Sequence, residues 1–224
     1  MKVLLRIFPL VLSHIAWAQE TIIFDPQKQT DRLAALHVSY APVKYKGRNA
    51  IKVVEIPRDP GEQFIKIKDL TFKNGIIETE VAGNVAPGAF DGARGFVGIA
   101  FRISGDNSKM ECFYLRPTNG RSDDQVRRNH SVQYTSTPDY PWQRLRKENT
   151  ERYESYVDLV PGEWTKLKIE VHGDKAKLFV HGASQPTLVV NDLKLGADNE
   201  GAIGLWIGLG TEAYFTKLKI TKLN

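Results

Sequence analysis

The chain has 224 residues and a formal net charge of +5, and 42% of its residues are hydrophobic against 25% charged. These proportions are typical of globular proteins and exclude a disordered or fibrous chain. No uninterrupted apolar run reaches the about 18 residues that a membrane-spanning helix needs, so no membrane span is predicted. The single cysteine excludes a disulfide framework within the chain and a multi-cysteine zinc or iron–sulfur site.

The first 18 residues have the pattern of a secretory signal peptide. Lys2 and Arg6 supply a positively charged start, a short apolar centre follows, and Ala16-Trp17-Ala18 fits the small-residue cleavage rule. The alternative is a buried N-terminal strand or helix. We predict that residues 1–18 are a signal peptide, that residues 19–224 form a single domain, and that the protein is secreted or periplasmic. Removing two positive charges and no negative ones lowers the formal charge from +5 to +3, which does not favour nucleic acid as a partner.

From Val43 onward, short segments of alternating hydrophobicity are separated by turn residues, with no helical period between them. The clearest segment runs from Trp164 to Val171. About thirteen such segments predict an all-β fold, either a two-sheet antiparallel sandwich or a barrel. Only residues 25–36 are predicted to hold a short helix. Residues 117–129 and 137–150 are predicted to be long loops, and such loops often carry binding groups.

Six of the chain's segments together match the pattern of one known superfamily. These segments are 72–81, 95–102, 161–169, 175–180, 201–206 and 214–220. Over roughly residues 60–221 the chain resembles the concanavalin A-like lectin/glucanase superfamily. The resemblance implies a jelly roll of two bent antiparallel sheets. It specifies no activity, because secreted lectins, glucanases, laminin G-like modules and the 3-keto-disaccharide hydrolase family share this fold.

Strand alternation predicts which side chains face away from the core. In the segment 97–103, we expect the inward set to be Val97, Ile99, Phe101 and Ile103, which turns Arg102 outward. Alternation likewise turns outward Tyr114, Arg116 and Trp206. Aromatic rings beside fixed hydrogen-bond donors are typical of small-ligand sites and suit sugar rings. The leading hypothesis is a glycan-binding groove formed by these residues with Trp142 and His130, and the alternative is a face covered by loops.

Glu78 and Glu80 are candidates for a glycosidase pair. They lie two residues apart on one strand face, and glycoside hydrolysis needs two carboxyl groups on either side of the scissile bond. The retaining glucanases of this superfamily carry a further acid in the same strand motif, and here Val81-Ala82-Gly83 follows Glu80 instead. This departure disfavours glucanase activity of that kind. The alternative is that both carboxylates are solvated or paired with arginines.

His130 is a candidate base for a polysaccharide lyase. Residues 127–134 contain arginine, asparagine, histidine and tyrosine, the groups that neutralise a uronate and move its C5 proton. On one strand His130 and Tyr134 would lie about 13 Å apart, too far to act on one bond. A working pair would therefore combine His130 with a residue such as Tyr114, and the alternative is a structural histidine.

The sequence predicts no cofactor and no metal site. Members of this superfamily often bind calcium through loop acids, but no spacing singles out Asp91, Asp106 or Asp198, so structural calcium stays open. The leading interpretation is a secreted jelly roll that binds an oligo- or polysaccharide. The alternatives are a glycan-cleaving enzyme, acting through Glu78 and Glu80 or through His130, and a laminin G-like module that binds protein.

Overall fold

The computed structural model describes residues 19–56 and 61–223, so the predicted signal peptide at residues 1–18 lies outside the described residues. The described part consists mainly of strands, with two short α-helices and two 3-10 turns at Thr30–Arg32 and Pro117–Asn119. The strands are β1 Gln19–Phe24, β2 Leu33–Leu36, β3 Val38–Tyr45, β4 Arg48–Glu55, β5 Gln63–Ile67, β6 Gly75–Val85, β7 Val97–Ile103, β8 Met110–Leu115, β9 Val132–Thr137, β10 Glu154–Ser155, β11 Thr165–His172, β12 Lys175–Val180, β13 Leu188–Val190, β14 Ala202–Ile207, β15 Thr211–Phe215 and β16 Leu218–Leu223. The helices are α1 Gln125–Asn129 and α2 Trp142–Glu148.

The strands form two antiparallel sheets. The seven-stranded sheet has the order β10-β9-β8-β7-β14-β5-β2. The nine-stranded sheet has the order β13-β12-β11-β6-β15-β4-β3, and the β1–β16 pair continues it along β6. The predicted all-β jelly-roll sandwich is therefore confirmed.

One apolar core lies between the two sheets. Strand β11 illustrates how alternation forms this core. Its residues Leu167, Ile169 and Val171 are buried and alternate with the less buried Lys168 and Glu170. The core also takes in alternate residues of the seven-stranded sheet, so burying it requires both sheets together. Strand alternation therefore determines which face of each sheet is left for other contacts.

The helices differ in place from the sequence-based prediction. The segment 25–36 contains a 3-10 turn and strand β2 instead of a helix, whereas α1 and α2 lie in the two predicted loops. The Asp124 side chain accepts hydrogen bonds from the amides of Val126 and Arg127, which caps the first turn of α1. Within 19–56 and 61–223, no helix is long and apolar enough to cross a bilayer.

Strand β7 contains a β-bulge at Arg102, whose φ of +53° lies in the left-handed region. On β14, Ala202 pairs with Ile103 and Gly204 with Ala100, so one residue of β14 lies opposite two of β7. The extra residue reverses the alternation, and Ile103 packs with Ala100 instead of joining the main core. The expectation that Arg102 faces outward beside the aromatic residues is therefore wrong. A period-two pattern contains no sign of an inserted residue.

The buried Arg102 ties three loops together. It is 1% exposed, and its guanidinium donates hydrogen bonds to the backbone carbonyl oxygens of Lys73 at 2.9 Å, Gly173 at 2.7 Å and Gly196 at 2.8 Å. These carbonyls belong to the connections before β6, between β11 and β12, and between β13 and β14. Arg102 is therefore a structural residue at one end of the sandwich.

A buried carboxylate fixes the same loop from a neighbouring strand. Glu111 of β8 accepts a hydrogen bond from the amide of Leu195 at 2.8 Å and another from the Tyr134 hydroxyl. That hydroxyl in turn accepts from the amide of Lys194 at 2.8 Å. Burial raises the pKa of Glu111, and these hydrogen bonds oppose the rise.

Replacing Arg102 with methionine should lower the free energy of unfolding by about 3 kcal/mol or more, because three carbonyl groups lose a buried donor. Urea unfolding followed by circular dichroism measures the change. Arg121→Met is the matched control, since Arg121 forms an exposed ion pair with Asp158 and such pairs contribute about 1 kcal/mol or less. Equal losses in the two variants would contradict the role of Arg102.

Candidate ligand cleft

A cleft of about 890 Å³ lies over the outer face of the seven-stranded sheet. Tyr114 of β8 and Trp206 of β14 meet across Gly98 of β7, which pairs with both of them. Their ring centroids are 4.7 Å apart. A Cβ atom on Gly98 would lie 2.1 Å from the carbonyl oxygen of Phe113, so the strands can approach this closely only with glycine there.

Exposure separates the residues that can touch a ligand from those that support them. Tyr114 is 3% exposed and Arg116 is 5% exposed, so both lie beneath the cleft surface. Trp206 is half-buried, and Trp142 at the start of α2 is 38% exposed. The two indole rings are therefore the accessible aromatic surfaces among the predicted ligand residues.

Arg116 connects three strands beneath the cleft. Its guanidinium donates to Glu154 Oε1 of β10 at 2.8 Å, to Gln133 Oε1 of β9 at 3.0 Å and to the Tyr114 hydroxyl at 3.1 Å. Arg146 of α2 donates to the same carboxylate, with Nε 2.9 Å from Glu154 Oε2. Helix α2, which begins with Trp142, is thereby attached to the sheet through Glu154.

The charge state of Glu154 follows from these contacts. Burial alone raises its pKa, but the hydrogen bonds from Arg146 and Arg116 outweigh burial, so the pKa of Glu154 lies below its usual value. Burial raises the pKa of Tyr114 to about 12, against the opposing effect of Arg116. At neutral pH the groups beneath the cleft therefore include the ionised carboxylate of Glu154 and the protonated phenol of Tyr114.

Trp142 and His130 lie on the same wall of the cleft. The guanidinium carbon of Arg146 is 4.7 Å from the Trp142 ring centroid, which is within the range of a cation–π contact. His130 Nε2 is 3.6 Å from Glu154 Oε2, too long for a hydrogen bond. Burial lowers the pKa of His130, and Arg146 lowers it further while Glu154 opposes the shift. The imidazole is therefore neutral at pH 7.

Glu62 is a cleft residue that the sequence analysis missed. It accepts hydrogen bonds from the Trp206 indole Nε1 at 2.9 Å and from the Thr137 hydroxyl at 2.7 Å. These bonds fix the orientation of the Trp206 ring. An acid just before a strand is too common in sequences to single Glu62 out, and its partners come from remote strands.

The opposite side of the cleft is mostly apolar. Phe90 is 54% exposed and Leu209 is 56% exposed, and Phe96 lies beneath them against Tyr114. Arg94 and Arg127 also line the cleft, and the sequence analysis did not single out Arg94.

The structure brings together most of the predicted ligand residues and leaves out one. The cleft is lined by Tyr114, Arg116, His130, Trp142 and Trp206. Arg102 does not line it, because the bulge buries that side chain at the end of the sandwich. Glu154 was not singled out either, since its importance depends on two arginines that are distant in sequence.

Glu78 and Glu80 lie on the other sheet. Both are on β6 of the nine-stranded sheet and line a separate hollow of about 1070 Å³. Glu78 Oε2 is 2.8 Å from Lys219 Nζ, and Glu80 is paired with Arg48. The predicted glycosidase pair therefore does not share the cleft with His130 and the tryptophans.

The described residues contain no cluster of three or more histidine, cysteine, aspartate or glutamate side chains that could hold a metal ion. Among the three loop acids considered for calcium, Asp106 bonds to its own turn. The Ser104 hydroxyl, followed by the amide and hydroxyl of Ser108, lowers the pKa of Asp106 to about 2.

Replacing Glu154 with glutamine should destabilise the protein by about 3 kcal/mol at pH 7, because two arginines lose a buried counter-charge. The lowered pKa means that this stabilisation is present above the unfolded-state pKa and is lost as pH falls through the folded-state pKa. The stability difference between the two proteins should therefore narrow below about pH 4.3. Urea titrations across this range measure it, and a pH-independent difference would argue against a charge effect.

No family model matches the chain, and no curated protein sequence matches it. Solved structures do. The chain is similar to carbohydrate-binding module CBM66 from Bacillus subtilis, with 16% identity, 86% of this chain and 93% of that chain covered, and a TM-score of 0.53. It is also similar to a protein of unknown function with a galectin-like fold from Bacillus subtilis, with 10% identity, coverage of 90% and 95%, and a TM-score of 0.58.

A β-glucanase of Bacillus licheniformis is a third similar structure, with 11% identity, coverage of 90% and 98%, and a TM-score of 0.51. At such identities the likeness concerns the fold alone. The chain has the concanavalin A-like jelly-roll fold that its sequence segments indicated.

Proposed function

We propose that this protein binds a glycan in the cleft, with sugar rings stacked on Trp206 and Trp142. The observation that carries the proposal is the pair of accessible indole rings, each fixed by its own contacts. Indole faces match the apolar faces of sugar rings, and fixed rings lose little freedom when a ligand binds. Tyr114 and Arg116 act from below as positioning residues.

Polar groups around the two rings would satisfy the sugar hydroxyls. The cleft offers carboxylate oxygens on Glu62, a hydroxyl on Thr137, the neutral imidazole of His130 and the guanidinium of Arg146. Small-ligand sites commonly combine a mostly apolar lining with a few oriented polar groups. This combination favours a carbohydrate over a purely apolar ligand.

The relatives in fold support a carbohydrate ligand without choosing between binding and cleavage. One is named as a carbohydrate-binding module and another as a β-glucanase. The choice of binding rests on the carboxylates of this chain. Glu154 is neutralised by two arginines, and Glu62 is held by Trp206 and Thr137. The lowered pKa of Glu154 does not suit an acid that protonates a leaving group, which requires a raised pKa.

We place this activity outside the cytoplasm, as a proposal that rests on the signal-peptide pattern of residues 1–18. The partner would then be an extracellular or periplasmic oligo- or polysaccharide. The laminin G-like alternative would replace the glycan with a protein at the same cleft. A glycan array followed by calorimetry with the best oligosaccharide tests the choice directly.

Replacing Trp206 with alanine should weaken glycan binding by about tenfold or more, which corresponds to about 1.4 kcal/mol, because the stacking surface is lost. Trp206→Phe should retain part of the affinity. Trp164→Ala is the matched control, since Trp164 packs near Tyr45 and Tyr214 on the nine-stranded sheet. Folded protein that binds no glycan across a broad array, or binding that Trp206→Ala leaves intact, would overturn the proposal.

Glu78→Gln and Glu80→Gln should leave glycan affinity unchanged, because both carboxylates lie on the other sheet. Incubation of the parent protein with the bound oligosaccharide should produce neither new reducing ends nor an unsaturated uronate that absorbs in the ultraviolet. Reducing ends that disappear in either variant would establish a hydrolase. An ultraviolet-absorbing product that disappears in His130→Ala would establish a lyase.

A further inference from the structure

We propose that the glycan is acidic and that Arg94 and Arg127 bind a carboxylate carried by one of its sugar rings. This inference rests on the proposed function, because it names the substrate class of the same cleft. Both arginines line the cleft, and both are only partly buried. A uronate residue next to a ring stacked on Trp206 or Trp142 is the ligand that this arrangement fits.

The two arginines are brought together by the segment after β8. The amide of Thr118 donates to the Arg94 carbonyl oxygen at 3.3 Å. The hydroxyl of the same threonine accepts from Arg127 Nη2 at 3.0 Å, and Asn119 Oδ1 accepts from Arg127 Nε at 2.9 Å. Arg94 and Arg127, which are 33 residues apart in sequence, are thus linked through Thr118, and both line the cleft.

Arg94 and Arg127 differ in their partners from Arg116 and Arg146, the other arginines that line the cleft. Within the described residues, neither forms an ion pair with a carboxylate, and their hydrogen bonds go to neutral oxygens. Elsewhere, acid partners within 4 Å are recorded for Arg116, Arg121, Arg144 and Arg146. Arg94 and Arg127 therefore carry positive charges that no carboxylate of the described residues balances within 4 Å.

Nearby acids do not complete the pair. Asp124 Oδ1 accepts hydrogen bonds from the α1 amides, at 2.9 Å from Val126 N and 3.2 Å from Arg127 N, and Asp124 forms no ion pair with Arg94 or Arg127 within the described residues. Asp91 bonds to Arg94 through its backbone carbonyl, and its exposed side chain favours the charged guanidinium only weakly. The guanidinium groups of Arg94 and Arg127 are therefore available to bind a carboxylate from outside the chain.

The donor inventory supports a two-pronged contact. Arg94 Nε and Nη2, and Arg127 Nη1, have no hydrogen-bond acceptor within 19–56 and 61–223. A guanidinium edge binds both oxygens of a carboxylate at once, which makes such pairs strong and directional. Arg116 cannot serve this way, because its guanidinium is already bonded to four side-chain and backbone groups.

The electrostatics of the wall point in the same direction. Burial lowers the pKa of Arg94, and the positive charges of Arg127 and Arg116 lower it further. The cleft wall therefore holds like charges near one another. An anion bound between Arg94 and Arg127 would relieve that repulsion, whereas a neutral sugar would leave it in place.

The experiment compares acidic oligosaccharides with neutral forms of the same chains. Calorimetry would use oligogalacturonate and alginate oligomers, their methyl esters, and a sulfated heparin oligosaccharide. We expect at least one uronate oligomer to bind about tenfold or more tightly than its methyl ester. In the double variant Arg94→Gln/Arg127→Gln this preference should disappear, so that the uronate oligomer binds only as tightly as its methyl ester. Arg127→Gln alone, which keeps the backbone contacts of Arg94, should remove part of it.

Arg121→Gln/Arg144→Gln is the control, because it removes the same net charge from two exposed, paired arginines outside the cleft. It should keep the preference for the acid. Equal binding of acid and ester, preference for sulfate alone, or equal loss in both double variants would overturn the inference that the two arginines bind a uronate carboxylate, while leaving the Trp206 result standing. Failure to bind any glycan would overturn the proposed function as well.

Discussion

The contact between Arg116 and Glu154 is the interaction on which the cleft depends. A buried carboxylate is stable here because two guanidinium groups bond to it, one from the residue that follows β8 and one from α2. The same contact joins β8, β9 and β10 and attaches the helix that begins with Trp142. Removing either partner would leave a buried charge, so the position of the exposed ring is coupled to the integrity of the sheet.

The sequence could predict the two-sheet fold and several residues that line the cleft. Alternation of residues in segments such as Thr165–His172 reflects a physical period of two, and it correctly assigned Leu167, Ile169 and Val171 to the core. It failed at Arg102, because a β-bulge inserts a residue and reverses every orientation after it. The short helix α1 had a readable signal in Asp124, which caps it, and the loop interpretation overlooked that signal.

The cleft was only partly predictable, for a different reason. Trp206 and Tyr114 share a face through antiparallel pairing, which alternation can indicate. Glu62 and Glu154 acquire their roles from partners far away in sequence, and single-sequence patterns contain no information on such contacts. The two glutamates that the sequence did single out, Glu78 and Glu80, lie two apart on one strand, a spacing that fixes a common face but not which sheet carries a site.

Arg102 of β7 and Arg116, which follows β8, hold different parts of the molecule by different kinds of contact. Arg102 closes one end of the sandwich through backbone carbonyls, which every residue type possesses, whereas Arg116 supports the cleft through the side chains of particular residues. The loop residues that Arg102 contacts can therefore be substituted without losing these backbone hydrogen bonds. Under the proposed function, changes around Arg116 would alter glycan recognition instead. Diversification of ligand preference would be concentrated in residues 117–130 and 137–148, with the apolar interior left unchanged.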